Sequence, residues 1–193
     1  MNKAKGHLFV VSGPSGVGKS TLIRRFLSED KKSVFSVSYT TRQKRPNEID
    51  GKDYYFVDAE TFKNIIKKNG FLEWENVYTY FYGTPKKEVL EMLNSGKDVV
   101  LDIDVKGALS VKSRYPDAFL IFIEPPSRNE LKRRLLFRGE KEIEIRLKRV
   151  EEEVEKKGYF DYTVINENID EAYRAFKRII EKIREERHGK DNS

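Results

Sequence analysis

The 193-residue sequence contains no cysteine, and its two histidines, His7 and His188, lie near its ends. Without cysteine the chain has no disulfide framework and no thiolate or zinc-thiolate site. The positions of the histidines also disfavour a histidine-based catalytic centre. No apolar run approaches the ~18 residues of a membrane span, and the first residues lack the apolar core of a secretory signal. We therefore expect a cytoplasmic protein with no membrane partner.

The chain is basic, with a formal net charge of +6. Most of its lysines and arginines alternate with glutamates, as in residues 141–157. This pattern is typical of solvated helix faces rather than of a nucleic-acid surface, so we expect no nucleic-acid partner. The length favours one domain. The oligomeric state is left open between a monomer and a homo-oligomer.

The most informative stretch is a glycine-rich segment that follows the apolar run Leu8–Ser12 and precedes a helix-like segment. It reads G-x-x-x-x-G-K-S, the pattern of a phosphate-binding loop. In such a loop, backbone N–H groups and a helix N-terminus surround a polyanion, so side chains must be absent where the chain approaches the phosphates. Lys19 would reach the outer phosphates and Ser20 would bind magnesium. The segment thus predicts a nucleoside triphosphate site formed by Gly13, Pro14, Ser15, Gly16, Val17, Gly18, Lys19, Ser20 and Thr21.

Short apolar runs alternate with helical segments, which predicts an α/β fold of the P-loop kinase type with a five-stranded parallel core sheet flanked by helices. The predicted strands are Leu8–Ser12, Val34–Ser38, Val99–Ile103, Phe119–Ile123 and Thr163–Asn166. Three helix starts are also predicted: Thr84 as the cap before Pro85 in a helix that Gly96 ends, a capping box at Ser127 and Glu130, and Asp170 at the start of the last helix.

Two sets of polar residues extend the predicted site, one for magnesium and one for a second phosphate group. Asp102 lies near the end of a predicted strand and Asp104 directly after it, and either would hold magnesium beside Ser20. Arg42 and Arg45, followed by Tyr54, suit a second phosphate because forked guanidiniums make bidentate charge-assisted bonds.

Taken in order, the motifs of the chain resemble those of guanylate kinases from about residue 6 to residue 187. Besides the phosphate loop, the matching segments are Ser36–Ser38, Thr40–Arg42, Gly51–Tyr54, Phe71–Glu73, Tyr82–Thr84, Leu101–Asp104, Pro125–Ser127, Arg138–Gly139 and Val164–Asn166. The resemblance implies a single domain with a core (about 6–37, 85–133 and 157–187), a GMP-binding insertion (about 38–84) and a short helical lid (about 134–156).

The resemblance also implies the reaction ATP + GMP → ADP + GDP, with magnesium, and it assigns site residues. Arg42, Arg45, Tyr54 and Tyr82 would hold the GMP phosphate, while Ser38, Glu73, Thr84 and Asp102 would surround guanine. Catalytic charge would come from Lys19, Arg42, Arg134, Arg138 and Arg149, and Asn166 would lie near the ATP base. Ser20 and Asp102 would be the metal residues, and whether Asp102 mainly contacts guanine or magnesium stays open.

The chemistry of guanine fits Glu73 as the residue that sets specificity. Its carboxylate can accept hydrogen bonds from guanine N1–H and from the exocyclic amine, whereas adenine presents an acceptor at N1. Two alternatives remain at this point: a P-loop kinase of another monophosphate acceptor, and a non-catalytic module that binds phosphopeptides. The intact Gly18, Lys19 and Ser20 argue against the second.

Overall fold

The computed structural model describes residues 5–77, 79–137 and 143–191. Its strands and helices are, in chain order, β1 (Leu8–Ser12), α1 (Lys19–Glu29), β2 (Ser33–Phe35), β3 (Tyr39–Thr40), β4 (Tyr55–Phe56), α2 (Ala59–Lys67), β5 (Phe71–Val77), β6 (Tyr80–Pro85), α3 (Lys86–Asn94), β7 (Asp98–Asp102), α4 (Val105–Arg114), β8 (Phe119–Glu124), α5 (Arg128–Phe137), α6 (Ile143–Glu155), β9 (Tyr162–Ile165) and α7 (Ile169–Asp191). A 3₁₀ turn, Lys156–Tyr159, follows α6. Among these described residues, no helix is both long and apolar enough to cross a bilayer.

The larger sheet has the strand order β2-β7-β1-β8-β9 and confirms the predicted five-stranded parallel core. Strand β1 is buried at every position, which is why its sequence is continuously apolar instead of alternating. The prediction for the second strand was wrong at its end. Strand β2 stops at Phe35, and the chain enters the smaller sheet at Tyr39.

The smaller sheet has the order β4-β3-β6-β5 and contains the antiparallel hairpin of β5 and β6. Helix α2 lies in the same segment, and its Asp58 cap accepts a 2.6 Å hydrogen bond from the Thr61 N–H. The sequence analysis did not predict this helix. Phe62 on α2 stacks on Phe71 of β5 with ring centroids 4.5 Å apart. A Cβ on Gly83 would lie within about 3 Å of both rings, so glycine allows β6 to pack against them.

The chain divides into two compact units. The first contains Met1–Phe9, Lys32–Leu101 and Lys106–Ala118, and the second contains Val10–Lys31, Asp102–Val105 and Phe119–Ser193. The smaller sheet therefore belongs to the first unit, and the phosphate-loop segment belongs to the second with α5, α6 and α7.

One predicted helix cap is wrong, and one predicted helix start differs by one residue. Thr84 does not cap α3, because Pro85 occupies the cap position and the Thr84 hydroxyl donates to Glu73 instead. The last helix starts at Ile169, one residue before the predicted start at Asp170, and Asn168 caps it by accepting the N–H groups of residues 170 and 171.

The structure agrees with the predicted helix end at Gly96, and it agrees in part with the predicted capping box at Ser127 and Glu130. Ser127 accepts the Glu130 N–H at 3.1 Å, which is one half of the expected capping box. The other half does not form, because the Glu130 carboxylate receives the side chains of Arg133 and Arg134. Gly96 has φ 85° just beyond α3, in agreement with a helix end there.

Candidate active site

The glycine-rich segment forms a loop between β1 and α1 in which glycine is required at specific points. Gly13, Gly16 and Gly18 all have positive φ, and α1 begins directly after Gly18. A Cβ on Gly13 would lie 2.2 Å from the Ile123 carbonyl oxygen. The loop therefore combines bare backbone with a helix N-terminus, the arrangement that binds phosphate groups.

Lys19 lies over this loop. Its Nζ donates to the carbonyl oxygen of Gly13 at 2.6 Å and to that of Pro14 at 3.3 Å. These bonds place the ammonium group beside the loop backbone that is predicted to surround the phosphates.

Two of the predicted metal residues lie together. The Ser20 hydroxyl donates to Asp102 Oδ2 at 2.9 Å. Asp104, the alternative ligand, instead accepts a 3.0 Å bond from Arg149. Hydroxyl and carboxylate oxygens are suitable magnesium ligands, and Mg²⁺ commonly uses one or two carboxylates plus substrate phosphates. The donor set at Ser20 and Asp102 fits that ion.

Two of the predicted lid arginines, Arg134 and Arg149, lie among the described residues and contact acidic or carbonyl groups of their own unit. Arg149 binds Asp104 and also Glu153, each at 3.0 Å. Burial raises the pKa of Glu153, although the nearby Arg149 and Lys19 cations oppose this shift. Arg138 lies outside the described residues.

Arg134 is the other described lid arginine. It donates to Glu130 at 2.8 Å and to the backbone carbonyl of Asn166 at 3.1 Å. It also lines a recess at the phosphate loop, together with Gly16, Gly18, Asn166, Glu167, Asn168 and Ile169. The residues predicted to bind ATP thus lie next to one another. They are those of the phosphate loop, together with Arg134 and Asn166.

In the first unit, the predicted phosphate-binding residues cluster around Arg42. Its guanidinium makes a bidentate pair with Glu48, with N···O distances of 2.7 and 3.0 Å, and lies 5.5 Å from the Tyr54 ring centroid. The Tyr54 and Tyr82 rings are in edge contact at 5.9 Å. The Arg45 side chain is exposed, but the backbone N–H of Arg45 donates to the Glu48 carboxylate at 2.8 Å.

Glu48 contacts two of the predicted site residues, Arg42 and Arg45, and was not predicted from the sequence. Its only local signal is an acid three positions after Arg45, which by itself does not identify a partner. Burial opposes its ionisation, but the hydrogen bonds from Arg42 and the Arg45 N–H hold the pKa of Glu48 below its ordinary value. The Glu48 carboxylate thus orients the Arg42 side chain and the Arg45 backbone.

The predicted guanine-binding residues of this unit are buried polar groups. Glu73 is 3% exposed and Thr84 is fully buried, and the Thr84 hydroxyl donates to Glu73 Oε1 at 2.5 Å. The two residues face each other across the β5–β6 hairpin, and Ser38 is also buried. Glu73 is the last of three consecutive buried residues at the start of β5, and the next residue, Trp74, is 39% exposed.

The family of the chain follows from its similarity to known proteins. The guanylate kinase family model matches residues 5–183. The chain belongs to the guanylate kinase family. It is 46% identical over 191 residues to the guanylate kinase of Caldanaerobacter subterraneus subsp. tengcongensis, covering 96% of this chain and 93% of that one. It is also 46% identical over 179 residues to the guanylate kinase of Thermotoga maritima, covering 91% and 86%.

A solved guanylate kinase has the same fold. The crystal structure of guanylate kinase from Anaplasma phagocytophilum superposes with a TM-score of 0.80 at 34% identity, covering 94% of this chain and 88% of that chain. The predicted family and fold class are therefore confirmed. The roles of individual residues are predictions that the contacts described above support to different degrees.

Proposed function

We propose that this guanylate kinase family member transfers the γ-phosphoryl group of ATP to GMP, and to dGMP, giving ADP and GDP. The observation that carries the proposal is that the Glu73 carboxylate is buried and accepts a hydrogen bond from the Thr84 hydroxyl. The phosphate loop of this family member is also intact. An ionisable group is costly to bury unless it has a polar partner or a ligand.

Guanine is the base that this group recognises. The carboxylate accepts from N1–H and from the exocyclic amine. The Ser38 hydroxyl donates to O6, since the one proton of the Thr84 hydroxyl is already donated to Glu73. AMP would place its N1 lone pair against the carboxylate with no proton between them. Sites built on such hydrogen bonds reject the wrong analogue by about 10⁴–10⁵.

The acceptor phosphate is assigned to the cluster of Arg42, Arg45, Tyr54 and Tyr82. Arg42 is already oriented by Glu48, so its guanidinium loses less freedom when it binds an anion. A phosphate monoester is ionised at neutral pH, so it needs no general base to act as the nucleophile.

The donor phosphates are assigned to the loop from Gly13 to Thr21, with Lys19 supplying charge. Ser20 and Asp102 would hold Mg²⁺, which would offset the negative charge of the phosphates. Arg134, Arg138 and Arg149 are assigned to the charge that develops on the transferring group. Arginines in this role contribute about 10³–10⁵ in rate.

We further propose the division into a core, a GMP-binding segment (38–84) and a lid (134–156) given above, with the lid excluding water during transfer. The expectations of a cytoplasmic location and of no nucleic-acid or membrane partner stay predictions.

A substrate panel tests the proposal. Purified protein with ATP and Mg²⁺ is supplied with GMP, dGMP, AMP, CMP or UMP, and ADP formation is measured. Turnover should occur mainly with GMP and dGMP. A preference for AMP would contradict the role of Glu73, and phosphopeptide binding without turnover of any acceptor would favour the non-catalytic alternative.

A further inference from the structure

Asn166 connects three segments of the second unit. It is 4% exposed and lies directly after β9. Its backbone N–H donates to the carbonyl of Glu124 at 2.8 Å, and its carbonyl accepts the bond from Arg134. Its side-chain Nδ2 donates to the carbonyl oxygen of Val17 at 2.7 Å, although the two residues are 149 positions apart. Asn166 thereby attaches the phosphate loop to the end of the sheet.

The amide packs directly on the loop. Gly18 has φ 103°, and a Cβ on it would lie 2.4 Å from Asn166 Nδ2. The loop residue must therefore be glycine both for its backbone conformation and for the space that the amide occupies. The close contact leaves little freedom for the Val17–Gly18 peptide.

The orientation of that peptide matters for phosphate binding. A trans peptide is planar, so the C=O of Val17 and the N–H of Gly18 point in opposite directions. When Asn166 holds the carbonyl on one side, the Gly18 N–H is directed to the other side. Backbone N–H groups of this loop are the ones that surround phosphates in a P-loop.

We infer that Asn166 is a positioning residue that acts on ATP through the phosphate loop and not through the base. This inference rests on the proposed function, because it assumes that the loop binds the ATP phosphates. It also gives Asn166 a different task from the base contact that the family resemblance implied.

Two ligands separate the two tasks. Binding of MgATP and of inorganic tripolyphosphate, which has no base, is measured by calorimetry on the full chain without an acceptor. We expect Asn166→Ala to weaken both ligands by a similar factor of about tenfold to a hundredfold, the effect of losing one buried hydrogen bond. In steady-state assays the KM for ATP should rise while the KM for GMP is unchanged.

Asp161→Ala is the matched control. The Asp161 carboxylate accepts the Leu120 N–H at 2.8 Å, so this variant also loses a side-chain-to-backbone bond within the second unit. Asp161→Ala should lower the melting temperature, while both ligands bind with the same affinity as in the wild type. If Asn166→Ala does not fold, Asn166→Leu has a similarly branched side chain that is uncharged and cannot donate to Val17, and it should also weaken both ligands.

The outcomes distinguish this inference from the function on which it rests. A loss of affinity for MgATP with unchanged tripolyphosphate binding would show a base contact and overturn the positioning role. Equal binding by the variant and the unchanged chain would overturn it as well. If the unchanged chain binds neither ligand, the proposed function itself fails and the inference fails with it.

Discussion

Replacing Glu73 with glutamine tests the basis of acceptor specificity with almost no change in side-chain volume. The carboxylate is 3% exposed and accepts the Thr84 hydroxyl, so the substitution acts in a dry, hydrogen-bonded environment. Glutamine retains one acceptor oxygen but places an NH₂ donor where guanine also presents a donor.

The magnitude follows from the bonds that change. A hydrogen bond to a charged group contributes about 1.5–3 kcal/mol, and leaving a buried donor unpaired costs about 1–3 kcal/mol. Together these give about 2.5–6 kcal/mol, or about 10²–10⁴ in kcat/KM for GMP. The ratio of GMP to AMP use should also fall, because the new NH₂ can donate to adenine N1, where the carboxylate of the wild type presents only an acceptor.

The assay follows ADP formation with GMP varied at saturating ATP, and then with ATP varied at the highest GMP concentration. The KM for ATP should change by less than about twofold, since Glu73 is not assigned to the donor. Thr84→Val is the comparison: it keeps the carboxylate and removes one donor, so we expect a loss of about tenfold in kcat/KM for GMP. Equal losses for GMP and ATP in Glu73→Gln, or a loss for GMP below about threefold, would refute the assignment.

Three further substitutions test the other parts of the site. Lys19→Met should lower kcat by about 10²–10³ with an unchanged circular dichroism spectrum, and a near-normal rate would contradict the phosphate-loop assignment. Arg149→Ala should lower kcat by a similar factor, and a larger loss in Arg146→Ala, three positions earlier on the same helix, would transfer the role to that residue. Glu48→Gln should raise the KM for GMP about tenfold because Arg42 loses its orienting partner. Since the pKa of Glu48 lies below its ordinary 4.5, its stabilising effect is present above that pH and is lost as the pH falls. The melting temperature of the unchanged chain should therefore drop more steeply under acid than that of Glu48→Gln, and parallel curves would contradict the ion pair.

The features that the sequence predicted well are those encoded by neighbouring residues. The phosphate loop is one contiguous motif, and the buried parallel strands are short apolar runs, so both can be recognised without knowing what packs against them. Strand β1 has the predicted bounds, and the loop has the positive φ angles that its glycines permit. Helix α2 was missed, although Asp58 three positions before Thr61 is a capping signal.

The features that only the tertiary structure decided are pairings between residues far apart in the chain. Thr84 has a sequence position that suits a helix cap, but the register of the β5–β6 hairpin places its hydroxyl against Glu73. Asn166 bonds to Val17 because the end of one strand lies beside the loop that follows another. Local patterns determine which residues form a strand or a loop. Strand order and register determine which polar groups come into contact. Those contacts decide which hydrogen-bond donors and acceptors of the site remain available to a ligand.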